Sequence, residues 1–237
     1  MSINFKLMLV NIQYGEARLD SASMTNSTPR IGRPPADLAP ATLDEILGAA
    51  LQMFADKGYD GASVAALNRQ LGVSHNLIHQ RFGSKEKLWF AAVDRAFGAI
   101  AAELRSELED TSGGPWEQFR RVIVRFVRVN ARRPEVLRLL TVEGVAETPR
   151  LQYLYERHVD PLLAATTAPM RRLMGEGAIA PVSLRTLYFL IAHGASAPYG
   201  LIGLARRIGP GDPQDPQAVT DHANLVADLI LDGLRNR

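Results

Sequence analysis

The tetrapeptide Leu71-Gly72-Val73-Ser74 does most to limit what this chain can build. A helical pattern runs into it and a second, polar helical pattern leaves it. A short Gly-containing turn of this kind sets two helices at a sharp angle. Gly suits such a corner because it adopts a left-handed backbone without steric cost. Helices that meet at a corner must bury facing stripes, so apolar residues should recur around it with helical spacing.

They do. Leu43, Ile46, Leu47, Ala50, Leu51 and Phe54 fall at i, i+3, i+4, i+7, i+8 and i+11, one face of a helix that Lys57-Gly58 should end. Ser63 is placed to cap a short helix running to Leu71, and Ser74 to cap the next, through Phe82. Ser84 should cap a long helix from Lys85 to about Glu109. "TSGGP" (111–115) reads as a linker, followed by an amphipathic helix from Trp116 to Arg132 and a helix opened by Pro134 and running to about Gly144. Residues 149–175 read as one long helix interrupted at Pro161 and Pro169. Residues 182–206 are helical and very apolar, with a bend at Pro198; 208–217 is a loop and 218–235 the last helix. No internal repeat or parallel-sheet pattern is present. The expected fold is all-α.

In the second helix of the corner, Val73, Ile78 and Phe82 are spaced to pack inward, which leaves His75, Asn76, His79 and Gln80 pointing out. A helix-turn-helix places its second helix in the DNA major groove, about 12 Å wide, where Asn and Gln pair with adenine edges and His reaches phosphates or guanine acceptors. Ser63, Ser74 and Ser84 stand at expected helix N-termini, which suit a phosphate oxygen, and Lys85 adds a charge at one of them.

The net charge of the 237 residues is only +2, so any nucleic-acid contact must come from a local site. Hydrophobic content of 46% fits a globular protein, and the absence of cysteine excludes disulfides and thiolate metal sites. No apolar run approaches the roughly 20 residues of a membrane span. "MSINFKLMLVNIQYG" lacks the basic region and cleavage site of a secretory signal; residues 1–23 read either as a flexible leader or as sequence ahead of a start at Met24. The expected location is the cytoplasm.

The stretch 41–90 resembles the DNA-binding domain of the tetracycline-repressor (TetR) family. The matching features are "ILGAALQMFADKGYDGAS", the turn "LGVS", the terminal "RF" and "GSKEKL" at the start of the fourth helix. The resemblance implies DNA contacts at Ser63, Ser74, His75, Asn76, His79, Gln80 and Lys85, a variable helical regulatory domain, and a dimer interface on the last two helices. Three positions depart from the family: Asn68 stands where a small Ala is usual, Leu77 where a Thr is usual, and His79 where a Tyr is usual. Leu77 replaces a phosphate-contacting hydroxyl, and a thymine methyl is its natural partner. Asn68 falls near the crossing of the two short helices, where a buried amide needs hydrogen-bond partners. Ahead of the domain, "TPRIGRPPADLAP" carries Arg30 and Arg33, suited to a minor-groove arm or simply to a solvated linker.

The organisation expected is a leader and arm over 1–40, a helix-turn-helix domain over 41–90 and a helical regulatory and dimerisation domain over 91–237. Phe119, Phe126, Met170, Met174, Tyr188, Phe189 and His193 are candidates to line a cavity for a small apolar or aromatic effector, though each alone reads equally as core. Leu190, Leu201, Leu225 and Leu229 are candidates for a homodimer interface. The arginine run Arg120, Arg121, Arg125, Arg128, Arg132 and Arg133 reads as a stripe paired with carboxylates. No cofactor or metal is expected, since His75 and His79 have no third ligand nearby except Glu86. His158, Asp160, His193 and Ser196 do not read as a catalytic set, because no nucleophile-elbow motif accompanies them. The function expected is a sequence-specific regulator released from a near-palindromic double-stranded operator by an effector, not an enzyme. The alternatives are an enzyme with an accessory helix-turn-helix and a ligand-independent architectural DNA binder.

Overall fold

A computed structural model describes residues 41–235. Among these, helices account for all regular structure apart from one isolated bridge between Ile179 and Arg235. The fold is all-α, with an N-terminal helix-turn-helix followed by a helical bundle.

Helix α1 spans Leu43–Gly61. Thr42 and Glu45 close a reciprocal capping box, the Thr42 hydroxyl accepting from the Glu45 amide and the Glu45 carboxylate accepting from the Thr42 amide. The helical run is interrupted at Gly58 (φ 67°), where the sequence placed its end, and one further turn carries the chain to Gly61. Helix α2 is Val64–Gln70, its first turn capped by Ser63 through the Ala66 amide at 3.3 Å. Helix α3 is Leu77–Phe82, and α4 is Lys85–Glu109, capped by Ser84 through the Lys87 amide at 3.1 Å. Each such serine cap stabilises its helix by about 1 kcal/mol.

Helices α5 (Gly114–Arg132) and α6 (Pro134–Glu143) follow, α5 starting two residues early, inside the expected linker. The expected long helix at 149–175 is divided. It comprises α7 (Pro149–Leu154), a π-helical turn (Tyr155–Val159), α8 (Asp160–Thr166) and, after a break at Thr167, α9 (Ala168–Gly175). The π turn directly precedes Pro161. Proline has no amide to donate and its ring crowds the carbonyl four residues back; widening the preceding turn relieves both problems. The same pairing recurs downstream. After α10 (Leu184–Tyr188) a π turn (Phe189–Ala195) precedes Pro198, and two short helices, α11 (Ala197–Gly200) and α12 (Ile202–Ile208), complete the bent segment. Helix α13 is Pro216–Leu234, capped by the Asp215 carboxylate through two amides.

The largest buried cluster joins Ile46, Leu51 and Phe54 of α1, Leu67 of α2, Ile78 of α3 and Leu88 and Trp89 of α4 to Val136 and Leu139 of α6, Leu154 of α7 and Leu162 of α8. Each fully buried aliphatic or aromatic side chain of this kind contributes roughly 1.5–3 kcal/mol of burial. A second cluster packs α5, α9, α10 and α13 around Phe119, Met170, Leu187 and Ile230. Four of the six arginines in the run pair with carboxylates. Arg120 pairs with Asp228 at 2.9 Å, Arg121 with Asp110 at 3.3 Å, and Arg133 with Glu103 at 3.2 Å. Arg132 also pairs with Glu103, and Arg125 donates to the Glu103 carbonyl at 3.1 Å.

Candidate nucleic-acid interface

The corner is built as the sequence requires. Gly72 has φ +65°, and the amides on either side of its carbonyl close the turn, Gly72 onto the Arg69 carbonyl at 3.2 Å and Val73 onto the Asn68 carbonyl at 3.1 Å. Leu67 and Ile78, both fully buried, lock α2 and α3 against the core. Phe82 is half-buried on the same side. His75, Asn76, His79 and Gln80 are then left exposed, together with Ser63, Ser74 and Ser84. Arg81, also exposed on α3, adds a cation that the sequence reading passed over.

Three details differ from expectation. Ser74 does not cap α3: its carbonyl accepts from the Leu77 amide at 3.0 Å, residues 74–77 form a separate turn, and α3 starts two residues later than the sequence suggested, with Asn76 at its uncapped end. Leu77 is half-buried and packs against the core cluster, so only part of its side chain is available outward. Lys85 folds back, its ammonium 3.4 Å from the Asp60 carbonyl and 4.6 Å from the centre of the Tyr59 ring. Arg30 and Arg33 lie outside the described residues. Asn68 is 3% exposed, and its amide donates to the His75 carbonyl at 2.8 Å.

The profile described as "Bacterial regulatory proteins, tetR family" matches residues 46–92, the four helices around this corner. The chain is 25% identical to the HTH-type transcriptional repressor NicS of Pseudomonas putida over 209 residues, covering 84% of this chain and 95% of that protein. It is 27% identical to the HTH-type transcriptional regulator RutR of Escherichia coli, covering 81% of this chain and 90% of that one. A solved structure, the TetR-family regulator PfmR of Thermus thermophilus, superposes with a TM-score of 0.56 at 25% identity, covering 84% of this chain and all of that one. The head matches the TetR family's DNA-binding domain, and most of the chain is similar to regulators of that kind. The chain is a DNA-binding transcription regulator.

Within the helical bundle of the regulator lies a cavity of about 70 Å³. Phe97 and Ile100 of α4, Phe119, Ile123 and Phe126 of α5, Val136, Leu137 and Leu140 of α6, Leu162 and Leu163 of α8 and Leu187, Tyr188, Ile191 and Ala192 enclose it. No Arg, Lys, His, Asp or Glu lines it. Its few polar side chains turn to their own helices: Asn130 donates to the Phe126 carbonyl at 2.9 Å, and Thr166 and Thr167 to the carbonyls of Leu162 and Leu163 at 2.8 and 2.6 Å. Burial pushes the Tyr188 hydroxyl above its ordinary range, keeping it neutral.

Of the residues expected to line a cavity, Phe119, Phe126 and Tyr188 do. The other four do not. Met170 is fully buried core, Met174 packs against the same cluster, and Phe189, 55% exposed, stacks on His193 outside the cavity. The expected interface leucines Leu190, Leu201, Leu225 and Leu229 are all at least half exposed, as are Leu204 and Ile208. His158 bonds to Asp94 at 2.7 Å, not to Asp160, whose carboxylate accepts from the Tyr155 hydroxyl. Among the described residues no three His, Asp or Glu side chains stand together as a metal site, and no helix is long and apolar enough to cross a membrane.

Proposed function

We propose that the chain is a repressor that acts in the cytoplasm as a homodimer and leaves its operator when a small, uncharged, apolar effector occupies the bundle cavity. The reading head would be 41–90 and the regulatory and dimerisation domain 91–237. The observation that carries this reading is the placing of α6. It supplies Val136, Leu137 and Leu140 to the cavity wall while Val136 and Leu139 share one buried cluster with α1 and α4 of the head. A ligand that alters that wall acts on packing the head also uses. The shift in operator affinity equals the effector's differential affinity for the two states.

The effector's class follows from the lining. A charged group brought into a cavity with no counter-charge would be desolvated without compensation, so it must be absent or left at the mouth. For DNA, Ser63, Ser74, His75, Asn76, Leu77, His79, Gln80 and Lys85 are the proposed contacts, with Lys85 turning from the Asp60 carbonyl to a phosphate. Two heads related by a two-fold axis would read half-sites about 34 Å apart, hence a near-palindromic operator. The exposed leucines at 190, 201, 225 and 229 support the pairing, because large apolar side chains left in water near the C-terminus of a monomer favour a partner.

The test is selection of random duplexes by the full chain at fixed salt, repeated with His79→Ala and Gln80→Ala. A near-palindromic winner, weakened or altered by either change, is the expected result. Enrichment of no sequence, with binding that simply collapses as salt is raised, would replace the reading with non-specific DNA binding.

A further inference from the structure

Asn68 is an unusual residue for its place. It is 3% exposed at the crossing of α2 and α3, and its side-chain oxygen has no hydrogen-bond partner. Its nitrogen is committed: a backbone carbonyl only accepts, so the 2.8 Å contact with the His75 carbonyl fixes the amide orientation with Nδ2 donating. The His75 carbonyl belongs to the peptide group that joins His75 to Asn76. Helix α3 does not use that carbonyl; its first bond runs from the Gln80 amide to the Asn76 carbonyl at 2.8 Å.

Asn68 therefore holds the turn twice. Its backbone carbonyl accepts from the Val73 amide at 3.1 Å, and its side chain holds the peptide beyond Ser74. The two bonds bracket Ser74, which lends no side-chain cap to α3. Asn76, at the N-terminal end of α3, also has no side-chain capping bond, and the His75 ring and Asn76 carboxamide have only a 3.4 Å contact with each other. Without the grip of Asn68, the peptide that carries both exposed side chains would be anchored only through the turn itself. His79 and Gln80, one turn on, are held instead by the buried Ile78 beside them.

We propose that Asn68 is a positioning residue for DNA reading: by gripping the His75–Asn76 peptide it sets the base preference where those two side chains meet the operator. It touches no DNA itself. The inference rests on the DNA-reading role proposed above and narrows it to a division within the helix: base preference through His75 and Asn76 depends on Asn68, and base preference through His79 and Gln80 does not.

The test is the same duplex selection with full-length wild type, His75→Ala, Asn76→Ala, Asn68→Ala and Asn68→Leu. The positions that lose preference in the His75 and Asn76 variants define the region those residues read. Both Asn68 variants should lose preference there by about fivefold or more per position, at the low end of what one base contact discriminates. Preference at the positions lost in His79→Ala and Gln80→Ala should be kept. A folded Asn68 variant with the wild-type profile overturns the inference, as does a uniform loss at all positions. If neither variant folds, the wild-type spectrum decides. One Asn68 carboxamide proton protected from exchange supports the grip, and free exchange of both refutes it. A wild type that enriches no sequence overturns the DNA-reading role and this inference with it.

Discussion

Arg150 lies over the ring of Tyr59, its guanidinium carbon 4.0 Å from the ring centre, and ties the start of α7 to the end of α1. Behind it the Glu143 carboxylate, at the end of α6, is almost wholly buried and accepts from the same guanidinium at 3.1 Å. Lys85 approaches the same ring. Of these two cations only Arg150 comes from the bundle, so it joins the bundle to the reading head at one aromatic side chain, while Lys85 reaches the same ring from within the head. One of those cations is held by a buried acid at the end of the helix that walls the cavity.

Arg150→Ala leaves the Glu143 carboxylate buried without its partner. Removing one member of a buried pair costs about 3–5 kcal/mol, far more than an exposed pair would. Urea unfolding should show a loss of that size, and Glu143→Gln with Arg150→Met together should recover most of it. A single variant as stable as wild type would mean that the carboxylate is solvated.

Asp94 gives a pH test. Burial pushes its carboxyl up, but hydrogen bonds from His158 at 2.7 Å and Tyr153 at 2.8 Å, with the charge of nearby Arg157, outweigh burial and hold it below its ordinary value of 3.8. A group depressed in the folded state stabilises above its unfolded value and loses that contribution as pH falls through the folded one. The stability difference between wild type and Asp94→Asn should be full near pH 6 and shrink below about pH 3.8. A difference independent of pH would assign Asp94 a packing role alone.

Ala192, 2% exposed, faces the cavity. Ala192→Leu should fill part of it and abolish binding of an uncharged fluorescent probe such as N-phenyl-1-naphthylamine, while operator selection stays as in wild type. Wild type should take this probe in preference to its sulfonated analogue, because no lining residue offers a counter-charge. Equal binding of both by wild type would contradict the neutral-effector reading.

Leu225 and Leu229 stand one helical turn apart on α13, 58% and 65% exposed. Replacing both with Glu places four charges across a two-fold contact. Sedimentation should then show monomers, and operator affinity should fall by about 10²-fold or more, because the second half-site no longer benefits from linkage to the first. A dimer that survives the double change would place the interface elsewhere.

The head was largely legible in the sequence because its signals are local: serine caps, positive-φ glycines and an unbroken 3.6-residue stripe along α1. Ser74 was misread because a serine ahead of a helical pattern looks the same whether its side chain caps the helix or its carbonyl closes a preceding turn. The cavity was less legible for a different reason. The π turn at Phe189–Ala195 adds a residue to its turn, so side chains across it fall out of the α-helical register assumed from the sequence. Tyr188, Ile191 and Ala192 face the cavity while Phe189 and His193 stack outside it. Met170 and Met174 were chosen for residue type, and type does not distinguish a cavity wall from a filled core.

The buried cluster that runs from Ile46 through Trp89 to Leu139 and Leu162 has a consequence for how such a protein can be taken apart. The four N-terminal helices do not own the interior they rest on; part of it belongs to α6, α7 and α8. A head excised at residue 90 would lose the Tyr153 ring that packs on Trp89 and Phe90, and a head transplanted from another protein would meet a foreign floor. Recombination that exchanges DNA-binding heads must therefore carry the matching residues of the bundle with it, and the two halves should melt together as a single cooperative unit.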